Sequence, residues 1–326
     1  MQSWLERIWY GGGRGGAWLA PFAALFGALA GTRRRAYRRG WLTPQRAAHP
    51  VVVVGNLTVG GSGKTPLVIW LVNELTARGI RAGIVSRGYG GSAGTALRVT
   101  GASDPAIVGD EPVLLARRTG VPVAVANDRL AAAALLAGEV DLLIADDGLQ
   151  HYRLARALEI LVIDGVRRFG NGRLLPAGPL REPPARAAEA DFVVVNGGTA
   201  AGAEIAMTLC PGDLVALDSG ARRALGELKG QRVHALAAIG NPARFFATLL
   251  AAGLEPIEHP FPDHATLGSA DFAFNDDLPV LMTEKDAVKC AGAARPGVYW
   301  LEVSAEIAVP DAERLLGRLA ALTRGA

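Results

Sequence analysis

From His49 onward, short aliphatic runs alternate with longer amphipathic stretches. Val51–Gly55 is four valines closed by a glycine, the pattern of a strand buried on both faces. Residues 64–78 predict a helix that stops at Gly79. Beyond it the pattern predicts strands at 82–86, 121–126, 141–145, 159–163 and 191–195, with helices at 111–119 and 128–137. Strands and helices in alternation imply right-handed crossovers and a mostly parallel sheet with helices on both faces. Between about 196 and 232 the periodicity is lost among Gly197, Gly198, Gly202 and Gly212, and this stretch reads as a loop and a domain boundary. A second α/β run follows, with strands at 233–238, 279–282 and 298–303 and helices at 242–252 and 310–322. The expected organisation is an N-terminal helical segment over 1–48, a larger α/β domain over 49–200 and a smaller one over 201–326.

Composition narrows the class. Of 326 residues, 50% are hydrophobic and 20% charged, enough to bury large cores and too apolar for disorder. A net charge of only +3 gives no polyelectrolyte signal for nucleic acid. Cys210 and Cys290 form neither a metal-type pair nor a disulfide framework, which favours a reducing, cytoplasmic setting. The N-terminus stands apart. Residues 17–30 are apolar and uncharged, and Arg33, Arg34, Arg35, Arg38 and Arg39 follow. As a helix the run is roughly 21 Å long, short of the about 30 Å of a bilayer core. It suits a helix lying on a membrane surface with its arginines on anionic headgroups; a buried amphipathic helix is the alternative. A signal peptide would carry its basic region before the apolar one, whereas here Arg14 precedes and the larger basic cluster follows.

The chemistry begins at Thr58-Val59-Gly60-Gly61-Ser62-Gly63-Lys64-Thr65, between a β-branched strand and a helix. This is the phosphate-binding loop G-x-x-x-x-G-K-[ST] with Thr58 at its first glycine position. Gly60, Gly61 and Gly63 let backbone amides converge on phosphates, Lys64 reaches the terminal phosphates, and Thr65 offers a hydroxyl to Mg²⁺. A glycine turn that merely packs a helix onto a sheet is the alternative, and the strand–loop–helix context weighs against it. Asp146 and Asp147 close an apolar strand at the ligand-binding edge of such a sheet, where one acid binds metal and the other works beside it; a solvated turn is the alternative. In Gly109-Asp110-Glu111-Pro112, Asp110 is a candidate general base and Glu111 a candidate metal ligand, against a plain helix cap. Asp263-His264 is a candidate pair for orienting a base, against an exposed loop histidine. The basic loop Ser86–Gly91, and Arg173 and Arg181 in a Gly/Pro-rich stretch, suit an anionic ligand. Thr283-Glu284-Lys285-Asp286 does not match a guanine-reading motif in first residue or spacing.

Taken together, these segments resemble the tetraacyldisaccharide 4′-kinase (lipid A 4′-kinase) family. The resemblance runs in order from about 50 to 290, through residues 54–66, 86–91, 109–112, 146–151, 171–182 and 283–289. Thr58 in place of the first loop glycine is itself a trait of that family. At 263–265 the chain departs from it: Ala265 follows His264 where the family often has a second histidine. The resemblance implies a P-loop NTPase-like parallel sheet with a second, smaller α/β domain and an N-terminal membrane-surface helix. It implies that ATP with Mg²⁺ phosphorylates the 4′-hydroxyl of an acylated glucosamine disaccharide 1-phosphate at the cytoplasmic face of the bacterial inner membrane. Lys64 and Thr65 would then bind phosphate and metal, Asp146 and Asp147 would serve the metal and the active site, and Asp110 with His264 would form the base pair. Two other readings remain: a P-loop ATPase or GTPase of the metallochaperone or partitioning type, driving a protein partner, and a non-enzymatic membrane-surface module.

Overall fold

The computed structural model describes residues 4–11, 14–290 and 295–324; the outermost residues of the expected 1–48 and 201–326 segments lie outside these. Helix α1 (Trp4–Tyr10) and a 3-10 turn lead into α2 (Ala20–Arg38). The chain then enters β1 (Val51–Gly55), α3 (Lys64–Ala77), β2 (Ala82–Ser86), β3 (Leu97–Val99), α4 (Pro105–Val108) and α5 (Asp110–Thr119). Next come β4 (Val123–Val125), α6 (Arg129–Leu136), β5 (Leu142–Asp146), β6 (Leu158–Asp164), β7 (Phe192–Asn196), β8 (Ile205–Ala216) and β9 (Arg222–Arg223). The last part holds β10 (Arg232–Ala237), α7 (Pro242–Ala251), β11 (Glu255–Pro260), β12 (Val280–Thr283), α8 (Glu284–Lys289), β13 (Val298–Ile307) and α9 (Val309–Thr323).

All the strands join one sheet, in the order β11-β10-β12-β13-β8-β7-β6-β1-β5-β2-β4-β3, with β9 beside β8. In β1 alternate valines serve opposite cores. Val52 and Val54 pack with α3, α5 and α9, while Val51 and Val53 pack with α6 on the other face. Both faces are therefore dry, as parallel pairing requires.

The stretch expected to be a loop contains β8, a strand of 12 residues. Its start alternates buried and exposed positions, but Pro211 and Gly212 interrupt the pattern halfway. They are tolerated because β13 bulges opposite them, between Leu301 and Val303. The edge strand β11 was also hidden, by Pro256 and Pro260, which only an edge accepts.

The register of β8 explains the shape of the molecule. Met207 lies level with Asn196, at the carboxyl end of β7. From there β8 runs on alone for roughly 30 Å at ~3.3 Å per residue, with β13 returning antiparallel along it. β12 and β10 attach only beside the far end of these arms, parallel to β13. Their strands thus point back at the first half of the sheet, and the carboxyl edges of the two halves face each other across a cleft.

Candidate active site

The cleft holds a cavity of about 440 Å³ lined from both halves, including Gly60 to Thr65, Glu111, Asp147 and Arg181 on one side and Asn241, Arg244, Asp263, His264 and Lys285 on the other. The two arms contribute Leu209, Pro211, Leu301 and Val303 to its lining. Such a volume at a parallel sheet's carboxyl edge is where a ligand binds.

The loop after β1 is built as a phosphate cradle. Thr58 pairs as a single antiparallel bridge with Leu180, and Val59 N–H donates to Pro179 O at 2.9 Å. The chain is extended there, so the first position has no need of glycine. Gly63 does: its φ is +92°, and a Cβ would stand 2.2 Å from Asn196 Nδ2. That amide donates to Ser62 O at 3.0 Å and pins the loop to β7. α3 then opens at Lys64, aiming its free N-terminal amides into the cavity.

The two aspartates after β5 differ. Asp147 has a left-handed φ of +48°. Its carboxylate lies 3.5 Å from Lys64 Nζ and 2.9 Å from Arg181 Nη1. Burial opposes its charge, but those two cations outweigh burial and hold its pKa well below the usual carboxylate range. Asp146 is 1% exposed, and both its carboxylate oxygens lack a hydrogen-bond partner. Burial first, then the negative charge of Glu111, pushes its pKa up. A buried carboxylate without partners is costly unless a cation joins it. Thr65 and Glu111 line the same cavity. Among the described residues no three acid, histidine or cysteine side chains form a self-sufficient metal cage. Two acids and a hydroxyl fit Mg²⁺, which completes its shell with phosphate and water oxygens.

Across the cleft, His264 Nδ1 meets Asp110 Oδ2 at 3.2 Å, and its Nε2 lies 3.8 Å from Asp263. Asp110 opens α5 after Gly109, whose φ of +90° brings the loop against Tyr89 O. Burial raises the Asp110 pKa, but the His264 hydrogen bond and the charges of Lys285 and Lys289 outweigh it, so the carboxylate stays ionised. The same hydrogen bond raises the His264 pKa.

The structure thus gathers Val59 to Thr65, Glu111, Asp147 and His264 at the cavity; Thr58, Asp110 and Asp146 are not among its lining residues, and Asp110 reaches it through His264. Arg181 belongs to the site, whereas Arg173 is exposed and outside it. Lys285, in the 283–289 segment of the resemblance, also lines the cavity, although that segment does not match a base-reading motif. Its position just after a strand, at the carboxyl edge, was the available signal.

Comparison with known proteins points one way. The family model of tetraacyldisaccharide-1-P 4′-kinase matches residues 16–322. A tetraacyldisaccharide 4′-kinase of Alkalilimnicola ehrlichii is 54% identical over 93% of this chain and 92% of its own length. One from Methylobacillus flagellatus is 51% identical over 98% of this chain and 96% of its own. The crystal structure of the Aquifex aeolicus LpxK in complex with ATP superimposes with a TM-score of 0.77 at 30% identity, covering 94% of this chain and 99% of that one.

Proposed function

Because the chain belongs to the tetraacyldisaccharide-1-P 4′-kinase family, we propose how its residues carry out that family's reaction. The protein is an ATP-dependent kinase that phosphorylates the 4′-hydroxyl of tetraacyldisaccharide 1-phosphate, giving the bis-phosphorylated lipid A precursor. In our reading Gly60 to Thr65 hold the triphosphate, with Lys64 on its terminal phosphates. Thr65, Asp146 and Glu111 would hold magnesium, which would supply charge neutralisation for the triphosphate. Asp147 keeps Lys64 and Arg181 in place, facing the nucleotide. Asp110, steadied by His264, takes the proton of the 4′-hydroxyl. The sugar oxygen bonds to the γ-phosphorus, the bond to the β-phosphate oxygen breaks, and ADP leaves.

The observation that carries this reading is the Asp110–His264 contact. A base from the P-loop half meets a histidine from the other half at the mouth of a phosphate cradle. Residues 49–200 and 201–326 would then act as two working halves, with catalysis coupled to their closure over substrate.

Residues 1–48 form the membrane-facing part in this reading. No described helix is long and apolar enough to cross a membrane. α2 leaves Phe22, Leu25 and Leu29 exposed, with Trp18 just before it, and its second half carries the arginines. Its other side holds Ala23 against Ala177 and Leu174. Such a helix suits the cytoplasmic surface of the inner membrane, where the lipid acceptor is presented.

The direct test is transfer of labelled γ-phosphate from ATP to tetraacyldisaccharide 1-phosphate. Label in the lipid, with ADP formed in equal amount, is expected. Acceptor-independent ATP hydrolysis with no labelled lipid would instead favour an ATPase that drives a protein partner.

A further inference from the structure

Lys285 stands two residues past the carboxyl end of β12 and reaches into the cleft. Its Nζ lies 3.0 Å from Glu111 Oε1 and 3.9 Å from both Asp110 Oδ2 and Asp263 Oδ1. A strut that merely neutralises acids is the simpler role for such a lysine. Three observations go beyond it.

First, Asp110 Oδ2 is the oxygen that also meets His264. A cation beside that oxygen is beside the point where the acceptor hydroxyl loses its proton, and so beside the phosphorus that the hydroxyl attacks. Second, Lys64 stands on the donor side, held by Asp147 on the other flank of the cradle. The cleft therefore carries one ammonium on each side of the phosphoryl path, from opposite halves of the sheet. Third, Glu111, the nearest partner of Lys285, lines the cavity, and Asp146 has buried oxygens with no hydrogen-bond partner of their own. A cation shared by those two acids would take over the countercharge of Glu111 and leave the Lys285 ammonium for another anion.

Resting on the assignment of Asp110 as the base, we propose that Lys285 is a further catalytic residue, whose ammonium donates to the equatorial oxygens of the phosphoryl group as it passes from ADP to the sugar oxygen. Charge on those oxygens must be met by fixed donors at the moment of transfer, where water is excluded. Lys285 is supplied by the C-terminal half, so the contact is made across the cleft.

The test compares Lys285→Met and Lys285→Arg with the wild type in ADP affinity, in trapping of ADP with aluminium fluoride and acceptor, and in turnover. For the Met variant, kcat is expected to fall about 10²- to 10³-fold while ADP affinity stays within about threefold. Trapping of the aluminium fluoride complex is lost with it. The Arg variant regains part of both turnover and trapping. A Met variant that turns over within about threefold of wild type overturns the proposal, and so does one that is slow yet still traps the complex. If the Met variant does not fold, the Arg variant decides: folded and trapping supports the proposal, folded and unable to trap overturns it. Asp110→Asn, run alongside, separates the two assignments. Undiminished transfer in that variant removes the base while leaving the lysine result to stand by its own trapping data.

Discussion

At the residue scale, adjacent acids do different work because their surroundings differ. Asp147 is fixed by Lys64 and Arg181, whereas Asp146 is buried with nothing to bind it. Asp110 is held ionised by His264 and Lys285. Asp110→Asn keeps the shape and removes the proton acceptor, so kcat is expected to fall about 10²- to 10⁴-fold, with unchanged circular dichroism and nucleotide affinity. A rate near wild type would exclude Asp110 as the base. A different effect is expected at His151. Burial, aided by Arg129 and Arg33, pushes its imidazole down to about 4 from the ordinary 6.5. Between those values the unfolded chain binds the extra proton and the folded one does not, so stability falls as pH drops through that window. Urea unfolding at pH 7 and pH 5 should show the decline, and His151→Gln should flatten it. A variant with an unchanged slope would assign the loss to other groups. The phosphate loop was legible because backbone geometry dictates its residues, even with Thr58 explained only by its bridge to Leu180. The choice between a cap and a base at Asp110 was not legible, because it depends on a histidine 154 positions away in sequence. Lys285 is marked in sequence only by its place just past a strand, because its three acids come from two distant segments.

At the scale of elements, continuous apolar runs were readable and interrupted ones were not. β1, β2 and β5 are buried on both faces and declare themselves as apolar runs. β8 changes environment along its length, from the interior of the first half to the wall of the cleft, so no single period describes it. Helix α2 shows the same divided character across its width. Ala23 packs inward while Phe22 and Leu25 face out, 59% and 60% exposed. A double change, Phe22→Glu with Leu25→Glu, spares the packed side. Each large apolar side chain contributes about 1.5–3 kcal/mol when buried, so partition onto anionic vesicles should drop by roughly tenfold or more. Vesicle co-sedimentation measures this directly. Undiminished binding would show that α2 is not the membrane contact, and a lowered thermal midpoint would show that this face packs against protein.

At the scale of the molecule, function follows from the way one sheet reverses its strand direction. β8 and β13 extend past the first carboxyl edge and carry β10, β12 and β11 back toward it, so the loops from both edges converge on the same cavity. One close approach is backbone to backbone. Gly240, after β10, stands so near the phosphate loop that a Cβ there would lie 2.7 Å from Gly61 N and 3.1 Å from Gly60 Cα. Arg167 steadies this contact by donating to Gly240 O and Asn241 Oδ1, each at 3.1 Å. Neither partner can yield as a flexible side chain would, so a bulkier residue must either part the two halves or displace the loop. Gly240 lacks the left-handed φ that would make substitution itself strained, so Gly240→Val should fold with a near-normal thermal midpoint. Misplacement of reacting groups by about 1 Å costs roughly 10²-fold in rate. Gly240→Val should lose turnover on that scale, with a raised KM for ATP and, in small-angle scattering with nucleotide bound, a larger radius of gyration than wild type. Normal kinetics in this variant would mean that the two edges need not meet for transfer. The Asp110–His264 contact would then be a feature of the resting enzyme and not of the reacting one.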